Sequence, residues 1–330
     1  MIPLSVLDLA TVATGSSPAQ ALRETTELAR AAEKLGYHRL WVAEHHAMAA
    51  IASSAPAVVI AHLANATTTL RLGSGGVMLP NHAPLVIAEQ FATLEALHPG
   101  RIDLGLGRAP GTDPRTAVAL RRSADLRAAS FPDDVVELIG YLLPREGAPG
   151  HPFATPGSGY LPEVWLLGSS TYSAQLAGML GLPFSFAYHF APQLLGDALS
   201  LYRANFQPSL LLDQPRVMVA VSVLCAPTSE EARHLAGSSA LSVLQRRAGA
   251  VGLLPSPEEA AAYPWSDDDK AIVAEALASH VIGDPETVRR GLVELIERTN
   301  ADELMLSTRT HSYEARLESL RLIAESWGIS

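Results

Sequence analysis

The feature that most constrains the fold is a short apolar run followed by a stretch with helical periodicity, repeated along the 330 residues. Each run is rich in β-branched and aliphatic residues and ends in small or polar residues, as buried strands do. Eight runs occupy residues 3–10, 39–45, 70–79, 101–108, 163–169, 183–189, 216–224 and 303–309. Eight strand–helix units are the number that closes a parallel barrel. The sequence therefore predicts an α/β fold, a (β/α)8 TIM barrel, as a single domain over residues 1–330.

The first helix carries the clearest boundary signals. Ser17 is a suitable N-cap residue, Pro18 fits the first helical position, and Gln20 completes a capping box. Gly36 stands where a glycine commonly ends a helix. Further helices are predicted over residues 55–66, 84–97, 171–180, 192–205, 229–248, 285–299 and 313–327.

Two connections are too long for simple barrel loops, at approximately residues 109–162 and 249–283. Long insertions after barrel strands usually form lids or pocket walls at the carboxyl ends of the strands, where barrel enzymes carry out their chemistry. We expect both insertions, together with Leu9, Tyr188 and His189 at strand ends, to wall a pocket.

Charge and cysteine content exclude several classes of function. The formal net charge is −10, with acids and bases interspersed, so no basic stripe is available for nucleic acid. Cys225 is the single cysteine, which rules out an intrachain disulfide and a cysteine-based metal site. The apolar segment 1–13 lacks a basic start and is too short to span a bilayer. A cytoplasmic protein without a membrane partner is expected.

Two histidines end the second predicted strand, in the order Glu44-His45-His46. Because side chains alternate along a strand, one histidine should face the barrel mouth and the other should point away. A catalytic role for one of them is possible, and a hydrogen-bonded pair without chemistry is the alternative. No further ligands follow at a spacing typical of a metal site.

Three glycines interrupt the third predicted strand, in the order Gly73-Ser74-Gly75-Gly76. Glycine inside a strand loses packing and costs conformational entropy, so something should compensate for it. A bulge, an unusual peptide bond or a flat ligand close to the backbone would do so, and a simple kink in the barrel is the alternative.

Two further strand ends carry groups that suit an anion. Arg108 ends the fourth strand, where it could face a phosphate or form a surface salt bridge. The fifth strand passes into a helix through a cluster of donors at Ser169, Ser170, Tyr172 and Ser173. Free N–H groups and hydroxyls at a helix start suit a phosphate dianion, although an ordinary serine cap has the same pattern.

Together these segments resemble the bacterial luciferase-like, flavin-dependent monooxygenases, in a single-chain branch of that family. The matching segments are residues 40–46, 70–84 with Glu89, 101–108 and 169–183, so the resemblance spans nearly the whole chain. Gly107 stands where luciferase has a reactive cysteine, and Ser169 stands where it has an acidic residue. Light emission from aldehydes is therefore not implied.

The resemblance implies a role for each matching residue. His45 corresponds to the catalytic histidine beside the reactive edge of the flavin, and Gly75-Gly76 corresponds to a non-prolyl cis peptide under the isoalloxazine ring. Cofactor binding is further implied for Glu44, Arg108, Ser169, Ser170, Tyr172 and Ser173. Arg108 and the serines would hold the phosphate, while Glu44 and Glu89 would be supporting carboxylates.

The resemblance also implies the reaction. Reduced FMN from a separate flavin reductase would react with O2 to give a C4a-hydroperoxide, which oxygenates a small hydrophobic organic substrate. The family habit implies a homodimer. Alternatives are a reductase or dehydrogenase that uses the deazaflavin F420, a catalytically silent flavin-binding subunit, and a metal-dependent barrel hydrolase.

Overall fold

Nine parallel strands form the centre of the molecule. The computed structural model describes residues 1–109, 113–121, 130–144, 152–250 and 252–330. Within these residues the strands are β1 (Leu4–Asp8), β2 (Arg39–Val42), β3 (Arg71–Met78), β4 (Ile102–Gly107), β5 (Glu163–Gly168), β6 (Phe184–Ala187), β7 (Val217–Cys225), β8 (Val281–Gly283) and β9 (Glu303–Ser307).

Eight of these strands close a barrel. The hydrogen-bonded order is β6-β5-β4-β3-β2-β1-β9-β7, and an additional pairing of β6 with β7 joins the two ends. All of these pairings are parallel. The TIM barrel predicted from the strand–helix alternation is therefore confirmed.

Helices alternate with the strands along the chain. They are α1 (Pro18–Lys34), α2 (Pro56–Ala66), α3 (Pro84–Leu97), α4 (Pro114–Arg121), α5 (Phe131–Leu142), α6 (Thr171–Leu180), α7 (Leu195–Asn205), α8 (Ser229–Arg247), α9 (Pro257–Ala262), α10 (Asp267–Leu277), α11 (Pro285–Thr299) and α12 (Tyr313–Trp327). In the part of the chain that the structure describes, none of them is long and apolar enough to cross a membrane.

The packing of the outer helices accounts for part of the long connection at residues 109–162. A single large apolar core lies between the strands and eight helices: α1, α2, α3, α5, α6, α7, α11 and α12. Phe131, Val135 and Leu138 of α5 are fully buried in this core. Residues 109–162 therefore include the barrel helix between β4 and β5, which the sequence analysis did not predict.

Side chains alternate between the outer core and the barrel interior, as they must along a strand. In β2, Leu40 and Val42 join the outer core, whereas Trp41 points inward. The inward layer is a second apolar cluster formed by Leu7, Trp41, Trp165, Leu167, Met218, Ala220 and Met305. This layer separates the amino-terminal end of the barrel from its open carboxyl end.

Below that layer, charged side chains face one another inside the barrel. The fully buried Arg39 donates to Asp103 Oδ2 at 2.7 Å and to Glu303 Oε1 at 2.8 Å. Ser5 donates to the same Glu303 oxygen at 2.5 Å. Arg71 pairs with Asp103, and Arg216 pairs with Glu163. Each charge in this cluster has a partner of opposite sign, which is the condition for keeping charges away from water.

The glycines of β3 form a bulge at the carboxyl half of the strand. The register with β4 shifts between Ser74 and Val77, and the peptide bond between Gly75 and Gly76 is cis. The Ser74 hydroxyl donates to Gly105 O at 2.9 Å and accepts from Gly105 N at 3.0 Å. The hydroxyl thus supplies the hydrogen bonds that the backbone ladder loses at the bulge.

We expect Gly105→Ala to destabilise the barrel by about 1–3 kcal/mol. A Cβ atom there would lie 2.2 Å from Ser74 O, and that carbonyl oxygen cannot move without shifting β3. Urea denaturation measures the effect. The control is Gly196→Ala in α7, where a Cβ meets nothing within 4 Å and helix propensity favours alanine. Equal stability of the two variants would contradict the close approach of β3 and β4.

Between the end of β7 and the next barrel helix the chain forms a long insertion, which we call the excursion (residues 226–283). It forms α8, α9 and α10 and returns through β8, a ninth strand that the sequence did not reveal. Val223 of β7 pairs with Val281 of β8, so the excursion ends beside the strand from which it began. Buried residues of α8 lie outside the outer core. Residues 249–283 are the later part of this excursion.

Candidate active site

A cavity of about 850 Å³ opens at the carboxyl ends of the barrel strands. Its floor is the inward apolar layer, with Leu7, Trp41 and Met305 among the lining residues. Its far wall comes from the excursion after β7, through residues of α8, α10 and β8. The cavity is therefore built at the end of the barrel where catalysis occurs in this fold.

Seven of the nine residues singled out in the sequence line this one cavity: His45, Gly75, Gly76, Arg108, Ser169, Ser170 and Ser173. The diglycine bulge and the cluster at the start of α6 thus face the same space, although they come from different strands. Glu44 and Tyr172 are not among its lining residues. Each contacts a residue that does line the cavity: Glu44 accepts from Met78 N, and the Tyr172 ring lies against Arg108.

Tyr172 lies under the candidate anion-binding arginine. The guanidinium carbon of Arg108 is 4.3 Å from the centroid of the Tyr172 ring. Among the described residues no carboxylate forms an ion pair with Arg108. Ser170 is the N-cap residue of α6, and its side chain makes no capping hydrogen bond. A cation, free helix-start N–H groups and serine hydroxyls therefore meet at one corner of the cavity, which suits a phosphate.

Glu44 holds the backbone that follows the bulge. Its carboxylate accepts from Met78 N at 3.0 Å, from His82 Nε2 at 2.8 Å and from Asn81 Nδ2 at 3.3 Å. Burial opposes ionisation, but the bonds from His82, His46 and the Met78 amide outweigh it and lower the pKa of Glu44. The carboxylate acts as a positioning group for residues 78–82 rather than as a wall of the cavity.

The two adjacent histidines have different surroundings. His45 lines the cavity, and its backbone N–H donates to Ser53 O at 3.0 Å. His46 Nε2 lies 2.9 Å from Glu44 Oε1. β2 ends at Val42, earlier than predicted, so both histidines lie in the segment after the strand, where His45 faces the cavity and His46 faces the carboxylate of Glu44.

The predicted pocket walls are found in part. Leu9 and His189 line the cavity, whereas Tyr188 packs against Arg298 instead, with its ring centroid 5.1 Å from the guanidinium carbon. From the two connections singled out in the sequence, the lining residues are Ala109, Ala276, Leu277, His280 and Ile282. Glu89 lies on α3, where its carboxylate accepts from Thr155 N at 3.4 Å.

The far wall also carries a group of basic residues that had no signal in the sequence: Arg246, Arg247, His280 and Arg309. They come from α8, from the residue before β8 and from the loop after β9, so no motif joins them. Burial, with repulsion from His189 and Arg309, lowers the pKa of His280 to about 4. His280 is therefore neutral near pH 7, and the arginines carry the charge of this wall.

His189 is held in a defined tautomer. Its Nδ1 lies 3.0 Å from Ala220 O, and a carbonyl oxygen can only accept, so the proton is on Nδ1. Burial lowers the pKa of His189, which keeps the ring neutral. No cluster of three or more His, Cys, Asp or Glu side chains suited to a metal ion occurs within the described ranges.

Comparisons with known proteins agree with this fold. Residues 2–303 match the model of a family described as luciferase-like monooxygenase. A luciferase-like monooxygenase of Escherichia coli K12 is 50% identical over 321 residues, which cover 97% of this chain and 96% of that protein. An N-acetyl-S-alkylcysteine monooxygenase of Bacillus subtilis is 33% identical and covers 99% of this chain and 98% of its own. The crystal structure of apo-MsnO8 superimposes with a TM-score of 0.93 at 38% identity, covering 100% of this chain and 99% of its own.

Proposed function

The chain belongs to the luciferase-like monooxygenase family, and from that premise we propose that it uses reduced FMN and O2 to oxygenate a small organic substrate. One observation supports the cofactor most directly. The diglycine bulge and the Arg108–serine corner line the same cavity, so a flat ring and an anionic tail could be held together. The names of the E. coli and B. subtilis relatives support monooxygenation as the reaction class.

The chemistry of the donor set fits FMN. Arg108 would hold the phosphate from one side, and the hydroxyls of Ser169, Ser170 and Ser173 with the first N–H groups of α6 would hold it from the other. At Gly75 a Cβ atom would lie 2.8 Å from Leu7 Cδ1 and 3.2 Å from Trp41 Cβ, so only a backbone without side chains fits against this apolar floor. A smooth peptide surface suits an aromatic ring system.

Bound reduced FMN would supply the two electrons that allow one atom of O2 to enter the substrate while the other leaves as water. The protein supplies the surroundings. The apolar floor and the excursion after β7 would limit the access of water, and the imidazole of His45 would donate a hydrogen bond or transfer a proton at the reacting centre. Glu44 would act indirectly by fixing the backbone beyond the bulge.

The proposed partners follow from what the reaction needs. A separate flavin reductase would deliver reduced FMN. A homodimer is proposed only from the habit of the family. Free reduced FMN also consumes O2, so the test follows one oxygen atom from O2 into an added organic substrate, in the presence of FMN, NADH and a flavin reductase, with and without the purified protein. Incorporation that requires both the reductase and the protein is the expected result. Reduction of a substrate by F420H2 without oxygen incorporation would indicate the deazaflavin alternative, and FMN binding without product would indicate a silent subunit.

We expect Arg108→Ala to weaken FMN binding by about 10- to 100-fold, because a charged hydrogen bond to a phosphate contributes roughly 1.5–3 kcal/mol. Fluorescence titration of FMN measures the dissociation constant. Arg290→Ala, which removes an exposed arginine of α11 that is not among the cavity-lining residues, is the matched control and should leave FMN affinity unchanged. Equal FMN affinity in both variants would remove Arg108 from the phosphate site.

A further inference from the structure

The cavity has a second basic region besides the Arg108 corner. We call it the cationic pole, and it consists of Arg246, Arg247 and Arg309, with the neutral side chains of His189 and His280 in the same cavity lining. Arg309 lies just after β9, and the other two arginines lie in the last turn of α8. The Ser239 hydroxyl, also on α8, donates to Arg309 O at 3.5 Å, which links the two elements.

Arg309 has donor capacity that the protein leaves unused. Its Nε atom is buried and has no hydrogen-bond partner. None of the ion pairs among the described residues includes Arg309. Buried polar atoms in native proteins almost always have a partner, and an exception calls for an explanation such as a ligand. A planar guanidinium is the group that best matches a carboxylate in a two-point contact.

No acidic side chain among the described lining residues balances the positive charge of the cationic pole. Although the chain has a net charge of −10, none of the described residues that line the cavity is an aspartate or a glutamate. Burial and repulsion from Arg246 lower the pKa of Arg309 to about 10, so Arg309 stays protonated at neutral pH. An anion in this part of the cavity would relieve both the unpaired donor and the repulsion between the two arginines.

The cationic pole is distinct from the proposed phosphate corner. Arg108 follows β4 and Arg309 follows β9, and these strands are four steps apart in either direction around the eight-stranded barrel. The two arginines therefore start from opposite sides of the cavity mouth. Apolar residues of the far wall, including Val223, Leu224 and Ile282, line the same cavity.

We propose that the substrate is an organic anion, with a carboxylate or similar monoanionic head group bound by Arg309 and Arg246 and an apolar body on the cavity floor. This inference rests on the proposed function, because it assigns the phosphate of FMN to the Arg108 corner. The expected substrate changes from a hydrophobic molecule in general to one that also carries a negative charge, since an uncharged hydrocarbon would leave the Arg309 guanidinium without a partner.

Paired probes of equal chain length test the cationic pole. Octanoate and octan-1-ol are titrated by calorimetry into the FMN-loaded protein, and octanoate should bind at least tenfold more tightly. Arg309→Met should abolish this preference by weakening octanoate binding at least tenfold, with octan-1-ol binding and FMN affinity unchanged. Arg309→Lys should retain part of the preference, because it keeps the charge but loses the planar two-point contact.

A second variant keeps the proposal testable if Arg309→Met does not fold. Arg246→Ala alters an exposed residue of α8 and should weaken octanoate binding about threefold to tenfold. Arg233→Ala, an exposed arginine of the same helix outside the cavity lining, is the matched control and should change nothing.

Two results would overturn the assignment of the cationic pole, and a third outcome concerns the proposed function alone. Equal affinities for octanoate and octan-1-ol in the unaltered protein would show that the cationic pole does not select anions. Loss of FMN affinity in Arg309→Met with intact octanoate binding would place Arg309 in the cofactor site. If the unaltered protein binds no FMN, the proposed function fails, and the same octanoate titration on the flavin-free protein still tests the cationic pole.

Discussion

Arg39→Leu is expected to lower the free energy of unfolding by about 3–5 kcal/mol, the largest loss of stability expected among the variants considered. Arg39 is fully buried and donates to both Asp103 and Glu303. Burial disfavours its charge, but the two carboxylates and Glu163 outweigh this and raise the pKa of Arg39. Removal of the guanidinium leaves carboxylates inside the barrel without their main counter-charge. Urea denaturation followed by circular dichroism measures the loss.

Two comparisons identify the cause of that loss. Arg30→Ala removes an arginine whose ion pair with Glu27 is about half exposed, and it should cost no more than about 1 kcal/mol. The double variant Arg39→Leu with Glu303→Gln should regain part of the stability, because one buried charge is neutralised while the new amide oxygen can still accept from Ser5. A double variant less stable than Arg39→Leu alone would contradict this explanation.

His45→Ala is expected to reduce oxygenation turnover roughly 100-fold or more while FMN affinity changes little, because a positioned acid or base commonly contributes about 10²–10⁴ to a rate. His45 lines the cavity beside the residues proposed to hold the flavin. Product formation with a saturating supply of reduced FMN measures turnover, and fluorescence titration measures flavin affinity in the same preparation.

The control for His45→Ala is His234→Ala, which removes an exposed histidine of α8 that lies 3.8 Å from Glu258. Unchanged turnover is expected there. If His45→Ala loses flavin binding and turnover in parallel, His45 is a binding residue rather than a catalytic one. Equal turnover in the His45 and His234 variants would remove His45 from the chemistry altogether.

The barrel itself was predictable because its signals are local. Each strand alternates with a helix, and the glycines of β3 stand out in a short stretch of sequence. The strand that ends the excursion was harder to predict, because β8 has only three residues and is recognised as a strand only by its pairing with the end of β7. The helix α5 was missed because nothing in its sequence distinguishes a barrel helix from an insertion.

Charged clusters were harder to predict because they assemble from distant strands. Arg39, Asp103 and Glu303 stand at or near strand starts, where a charged residue normally suggests a solvated end, yet all three are buried and paired. Arg246 and Arg309 are far apart in the chain, and each resembles an ordinary surface residue in isolation. Only the folded chain reveals that they share a wall.

Because the excursion returns to the strand it leaves, its two ends are neighbours, separated by about 4.8 Å, the spacing of paired strands. A segment attached in this way can be lengthened, shortened or exchanged while the cylinder beneath keeps its closure. The lining of the cavity can therefore evolve in residues 226–283 as if in a replaceable module, while the residues contributed by the barrel strands stay the same.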